Sequence, residues 1–148
     1  MHDFNKFPEL ANSQMQIYYW ESPHKQILED FNAKVEKVID GDTIKVSCNF
    51  RDFIFPVRML DINAPEMNEG GREAKDWLRN QIEGEEIMII MDSSRRVGKW
   101  GRLLGKVFFR GRDVGEEMIF KGLATTFEAR DEAELPDLNK ELNIGIWF

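Results

Sequence analysis

Five short β-rich runs, interrupted after the third by one helical segment, constrain the fold of this chain more than any other feature. "AKVEKVI" and "TIKVSCNF" flank Asp-Gly-Asp, the mark of a tight hairpin turn, and "FIFPVRML" follows as a third run. Pro56 inside that run points to an edge or a bulge, because proline cannot donate to a ladder. "GREAKDWLRNQIEG" predicts an amphipathic helix: Ala74, Trp77, Leu78 and Ile82 fall at helical spacing, and Gly84 sits just past the end. "EEIMIIMD" and "LLGKVFFR" are the fourth and fifth runs, with a turn at Gly111. "DVGEEMIFKGLA", closed by Gly122, predicts a second helix, and "LPDLNKEL" a third, short one. The order implies an α+β chain, a five-stranded OB-fold β-barrel with three helices packed on it. Such barrels often bind oligonucleotides, although a fold alone names no activity.

At 148 residues the chain is long enough for one domain with a real core. Residues 1–30 read as an N-terminal extension of open role, and residues 31–148 as the barrel domain. Within the extension, "ELANSQMQIYYWES" predicts a short helix ending before Pro23. It leaves Tyr18, Tyr19 and Trp20 as an apolar patch that needs cover, from the main domain or from a second copy, so an oligomer through residues 1–30 is one expectation. A hydrophobic content of 42% argues against disorder. No apolar run approaches the roughly 18–20 residues of a membrane span, so no membrane partner is expected. The start lacks a basic region followed by an apolar one, so no secretory signal is read; a cytoplasmic chain and a mature secreted one share that appearance. Cys48 is the only cysteine, which excludes an internal disulfide and a cysteine-based zinc site. His2 and His24 lie outside every motif and read as ordinary surface residues.

The net charge of −7 argues against a protein that coats nucleic acid non-specifically. Its distribution is uneven. "RRVGKWGRLLGKVFFRGR", from Arg95 to Arg112, carries seven cations and no acid, and glycines punctuate it. A basic stretch is usually a solvated face, but this composition leans toward phosphate contact.

Two stretches concentrate groups fit for chemistry. In "VIDGDTIKV", Asp40, Gly41 and Asp42 satisfy a plain turn, yet two carboxylates one residue apart repel unless a cation or donors lie between them. Hard cations such as Ca²⁺ take oxygen ligands of this kind. In "RMLDINAPE", strand alternation puts Asp61 and Asn63 on one face and Arg58 on the other, and Ala-Pro turns the chain so that Glu66 swings back. A local bulge would let Asp61 reach the same ion. "KWGRL" adds Arg102 after a glycine that allows close approach to a ligand. Singly, each has a bland reading: a surface salt bridge for Arg58, a helix-entry acid for Glu66, a solvated strand residue for Asp61, hairpin charge for Arg102. Together they match the needs of phosphodiester hydrolysis, with a metal, a carboxylate base and guanidinium forks for the phosphoryl oxygens.

The ordered set "VIDGDTIKV", "VRMLDINAPE", "GREAKDWL", "GKWGRLLGKV" and "VGEEMIFKGLA" closely resembles the staphylococcal nuclease (thermonuclease) family over roughly residues 33 to 127, with a fainter echo in "LNIGIWF". The resemblance implies an OB-fold barrel and Ca²⁺-dependent endonuclease cleavage of DNA and RNA, with single-stranded DNA favoured. It also implies one Ca²⁺ ion and products bearing 5′-hydroxyl and 3′-phosphate ends. By position, Arg58, Glu66 and Arg102 match the catalytic residues. Asp42 matches a direct calcium ligand, Asn63 stands at a ligand position, and Ala64 stands where a backbone carbonyl serves; Asp40 and Thr43 lie close to the ion. Lys99 and Trp100 match a Lys-Tyr pair that contacts a terminal phosphate, and Phe127 is placed to stack on a base.

The departures are specific. Asn63 replaces a calcium-ligating Asp, Glu128 a tyrosine beside the nucleotide, and Gly98 an acid near the phosphate loop; residues 1–30 have no counterpart. The alternative is therefore a weak or inactive module of the family that binds nucleic acid or protein. An amide carbonyl still ligates Ca²⁺ with less Coulombic attraction, so the expectation is weakened metal binding rather than none.

Overall fold

The computed structural model describes residues 1–126. The main strands are β1 (Phe31–Asp40), β2 (Thr43–Ser47) and β3 (Phe55–Met59). The short β4 (Ile62–Asn63) follows, then β5 (Glu86–Ile90), β6 (Leu103–Phe109), β7 (Arg112–Asp113) and β8 (Thr125–Thr126). The helices are α1 (Met15–Tyr18), α2 (Gly71–Ile82) and α3 (Val114–Phe120). β2 pairs antiparallel with β1 and β3, and β5 pairs antiparallel with β1 and β6. A parallel β3–β6 pair then closes the sheet into a five-stranded mixed barrel. Closure removes the open edges that a sheet of this size would otherwise present.

All five expected runs form strands, trimmed where turns begin. β2 stops at Ser47 before a turn, and β3 begins at Phe55, so the residues just before it are loop. Pro56 pairs with Lys45 on one side, while the parallel pairing with β6 starts one residue later at Val57. The missing N–H therefore costs no ladder bond. The barrel is filled by alternate residues, among them Val35, Ile44, Val57, Ile89 and Leu103, each fully buried. α2 lies against β1 and buries Ala74, Leu78 and Ile82, the i, i+4, i+8 stripe expected from the sequence. α3 starts at an Asp113 cap whose side chain accepts the Glu116 N–H at 3.1 Å. The expected helix in "LPDLNKEL" lies outside the described residues.

The N-terminal residues are built into the barrel's outer wall. Leu10 and Ile27 are buried with the core residues, and the Glu9 carboxylate pairs with the buried Arg51 guanidinium. Arg51 also stacks over Phe53 and Phe55, 5.1 and 4.5 Å from their ring centroids. The helix expected from "ELANSQMQIYYWES" is a run of 3₁₀, α and 3₁₀ turns from Asn12 to Glu21. Tyr18 is half-buried, whereas Ile17 and Trp20 are 66% and 90% exposed. The two histidines serve this packing: His24 contacts the Pro8 carbonyl at 3.0 Å and His2 the Phe7 carbonyl at 2.6 Å. Among the described residues no helix is long and apolar enough to cross a membrane.

Candidate active site

The site is assembled where the β1–β2 turn, the end of β3 and the start of α2 meet. Gly41 and Asp42 form the two-residue turn, with Asp40 opposite Thr43. A side chain at position 41 would lie 2.7 Å from the Ala64 Cβ and 2.8 Å from the Ala74 Cβ, so glycine there lets both α2 and the Asn63–Ala64 segment close on the turn. The Asp42 carbonyl accepts the Met59 N–H at 2.8 Å, and Thr43 pairs with Arg58 across β2 and β3. The acid turn and Arg58 are therefore neighbours by register.

Their side chains meet as well. Asp42 Oδ2 accepts the Ala64 N–H at 2.8 Å and lies 3.4 Å from Arg58 Nη2. The same Nη2 is 3.4 Å from Asn63 Oδ1, so one guanidinium nitrogen faces both the acid and the amide. Arg58 Nη1 donates to the carbonyls of Met59 and Ile62 at 2.8 and 2.9 Å, which locks the buried guanidinium in place. Thr43 Oγ1 donates to Asp42 Oδ1 at 3.2 Å, and the Asp42 N–H donates to Asp40 Oδ1 at 3.1 Å.

The two carboxyls divide their protons unequally. Burial pushes the Asp42 carboxyl up to about 6, and the neighbouring Asp40 adds to the rise against the pull of Arg58 and the Ala64 N–H. Asp40 also feels burial, but hydrogen bonds from Asp42, then the charge of Arg58 and a bond from Thr43, hold it below the ordinary carboxylate range. As pH falls, the pair therefore takes up its first proton on Asp42, at about 6, while above that both carboxylates are ionised and repel each other. A cation placed between the two acids relieves the same repulsion.

The side-chain groups around the turn that could face a cation are all oxygen: two carboxylates, the Asn63 amide and the Thr43 hydroxyl. Among the described residues no cluster of three or more His, Cys, Asp or Glu forms, so a cation here relies on neutral oxygens to complete its shell. That chemistry fits a hard ion such as Ca²⁺ and excludes a soft thiolate metal. Ala64 meets Asp42 through its N–H.

Arg102 closes the Lys99–Gly101 turn and leads into β6, two residues before Leu104, the partner of Arg58 in the parallel pair. Barrel closure therefore brings both arginines to one seam from positions more than 40 residues apart in sequence. Glu66 is exposed, and its backbone carbonyl accepts the Glu69 and Gly71 N–H groups at 2.8 and 2.9 Å. A side chain at Gly71 would collide with the Pro65 carbonyl oxygen at 2.4 Å, so the Gly-Gly pair at the head of α2 is what lets the helix seat Glu66. Lys99 is exposed in the same turn as Trp100. Phe127 and Glu128 lie outside the described residues.

Two expectations need correction. Asp61 and Asn63 do not share a face, because β3 ends at Met59 and Asp61 occupies the following turn with φ 67°. Its carboxylate pairs with Arg95 at 2.6 Å and Lys106 at 3.8 Å, while Asn63 turns toward Arg58. Nor is the basic run uniformly open to phosphate. Arg96 is buried with its guanidinium on the Ile27 and Leu10 carbonyls, Arg95 pairs with Asp61 and Asp92, and Arg112 pairs with Glu117. The sequence showed these cations but not the distant acids and carbonyls that claim them. The close approaches at Gly41 and Gly71 were also missed; the Gly-Gly step after Ala-Pro-Glu was the signal available.

The family described as Staphylococcal nuclease homologue matches residues 56–145, a span holding every candidate site residue except Asp40, Asp42 and Thr43. Relatives are similarly related. An uncharacterized protein of Bacillus anthracis is 31% identical over 137 residues, covering 81% of this chain and 62% of that protein. A probable endonuclease LCL3 of Leptosphaeria maculans is 30% identical over 112 residues, covering 62% of this chain and 37% of that protein. An uncharacterized endonuclease of Escherichia coli is 29% identical over 124 residues, covering 80% of this chain and 78% of that protein. The chain thus spans less than two thirds of the first two relatives' own length and somewhat more of the third. With a matching family span over more than half its residues, on a barrel whose β3 end sets Arg58 beside the acid turn, this chain belongs to the staphylococcal nuclease family.

Proposed function

We propose that this protein is a Ca²⁺-dependent endonuclease that hydrolyses phosphodiester bonds of DNA, single-stranded DNA foremost, and of RNA. The observation that carries the reading is the convergence on Arg58: one nitrogen of its guanidinium stands 3.4 Å from both the Asp42 carboxylate and the Asn63 amide. Membership of the family supports it. Asp42, Asn63 and the Ala64 carbonyl would hold one Ca²⁺, with Asp40 and Thr43 close by; the bound ion would supply positive charge against the scissile phosphate.

The chain's own groups do the rest. Glu66, exposed and seated at the head of α2, accepts a proton from the attacking water. The water oxygen bonds to phosphorus as the bond to the 5′ oxygen breaks. The 5′ oxygen leaves as a hydroxyl, taking its proton from solvent water, and the phosphate stays on the 3′ side. Arg58 and Arg102 donate to the phosphoryl oxygens, and their fixed charges stabilise the five-coordinate transition state. Lys99 holds a terminal phosphate, while Trp100 and Phe127 offer rings to neighbouring bases. In this reading residues 31–148 are the nuclease domain and residues 1–30 an extension of it.

The test is cleavage of a fluorescent single-stranded oligonucleotide in millimolar calcium against EDTA. Cleavage should vanish in EDTA, and Glu66→Ala and Arg102→Ala should each lower kcat by about a hundredfold or more. A folded protein that leaves the oligonucleotide intact in calcium would overturn the proposal. Calcium-independent DNA binding that survives Glu66→Ala would favour a non-catalytic binding module instead.

A further inference from the structure

The loop of residues 91–102 carries Lys99 and leads into Arg102, yet little of the barrel's own ladder holds it. Besides the Val97–Leu103 bridge to β6, supports from residues 7–30 reach it at four places along its length. Asp30 Oδ1 accepts the Met91 N–H at 2.7 Å. Asn12 Nδ2 donates to the Ser93 carbonyl at 3.1 Å. Arg96 reaches back into the N-terminal segment, donating to the Ile27 carbonyl at 2.8 Å, the Leu10 carbonyl at 3.0 Å and Asn12 Oδ1 at 3.1 Å. Phe7 presses its ring on Gly101, where an added Cβ would lie 3.2 Å from Phe7 Cδ1. Gly101 has φ +73°, so the backbone next to Arg102 has a conformation that side chains resist and an aromatic ring seated against it.

The segment is itself anchored, through the Glu9–Arg51 pair and through Leu10, whose N–H donates to Gln26 Oε1 at 2.7 Å. Arg96 links it to the site by a short path. Its carbonyl accepts the Leu104 N–H at 2.8 Å, and Leu104 is the parallel-strand partner of Arg58. On the opposite side the Arg95–Asp61 pair ties the same loop to the turn that precedes Asn63.

We propose that residues 7–30 are a strap that positions the loop of residues 91–102 for catalysis, with Phe7 and Asn12 as positioning residues acting through Arg102 and Lys99. The proposal rests on the endonuclease reading above. Phe7 separates this role from simple stability, because it is 38% exposed and its truncation opens no core cavity.

The experiment compares full-length Phe7→Ala, Phe7→Leu and Asn12→Ala with the unmodified protein, by amide hydrogen exchange and by oligonucleotide cleavage. In Phe7→Ala the Gly98 and Gly101 amides, bonded within the loop at 2.8 and 3.2 Å, should exchange about tenfold faster, with β1 and β5 amides unchanged. The value of kcat should fall about tenfold with the calcium midpoint unmoved, and Phe7→Leu should recover most of it. Unchanged loop exchange in both truncations would overturn the strap. So would faster exchange with an unchanged kcat, provided Arg102→Ala abolishes cleavage in the same assay. If the unmodified protein does not cleave at all, the endonuclease reading falls and the catalytic role with it, while the exchange data still decide whether the strap holds the loop.

Discussion

Asp42→Asn should make the metal-free protein more stable while removing its response to calcium. The Asp42 side chain is only 12% exposed and its carboxyl is pushed from 3.8 to about 6 in the fold. A carboxyl whose folded pKa exceeds its unfolded value stabilises the fold fully below the unfolded pKa, and that contribution is lost as pH rises through the folded value. The loss spans the window from 3.8 to about 6 and amounts to about 3 kcal/mol at ~1.4 kcal/mol per pH unit. The opposite displacement of Asp40 returns part of it, so the amide recovers less than about 3 kcal/mol. Asparagine keeps an oxygen for the Ala64 N–H and offers its amide hydrogens to Asp40. For a chain of this size the expected rise in Tm is about 4–8 °C in EDTA near pH 7.5. The gain should shrink toward zero near pH 3, below the unfolded value of 3.8, where Asp42 is mostly protonated in both states. In millimolar calcium the order should reverse, because only the unmodified protein gains binding energy. Thermal melts at both pH values, with EDTA and with calcium, give the answer. An Asp42→Asn protein that melts at or below the unmodified one in EDTA at neutral pH would refute the argument that this carboxylate is held ionised at a cost.

Asn63→Asp adds one charge to the proposed shell and should lower the calcium concentration for half-activity by about tenfold; an unmoved midpoint in a calcium titration would place Asn63 outside the shell. Since calcium must displace the proton on Asp42, the half-saturating calcium concentration should rise about tenfold per pH unit below about 6, read by calorimetry between pH 5 and 7.5. Glu9→Gln leaves the buried Arg51 charge without its partner and should cost about 3–5 kcal/mol in urea unfolding. The double replacement Glu9→Leu with Arg51→Met should recover most of that loss, and a double variant as unstable as Glu9→Gln alone would refute the account.

Local chemistry made much of this protein legible in its sequence. Alternating apolar residues set the five barrel strands, the Ala74, Leu78, Ile82 spacing set α2, and Asp-Gly-Asp set the turn that carries both acids. The trimmed ends of β2 and β3 show the usual limit, since propensity does not say where a neighbouring strand stops pairing. Each of these features depends on residues within a few positions of one another, and so each survives being read in one dimension.

Partners depend on closure of the barrel, and closure is non-local. The sequence placed Arg58 and Asn63 on opposite faces, but the strand ends at Met59 and the Asp61 turn brings the Asn63 amide to the Arg58 guanidinium. A run of seven cations read as one basic surface; folding buries Arg96 under the N-terminal strap and spends Arg95 on Asp61. Residues 1–30 looked like an appendage because no local pattern reveals that Leu10 and Ile27 fill the barrel's outer wall. The sequence by itself determined which groups are available: two acids in a turn, two arginines, one glutamate. Tertiary structure alone decided which stand together, because the parallel β3–β6 seam joins segments whose contact energy depends on the whole sheet having closed.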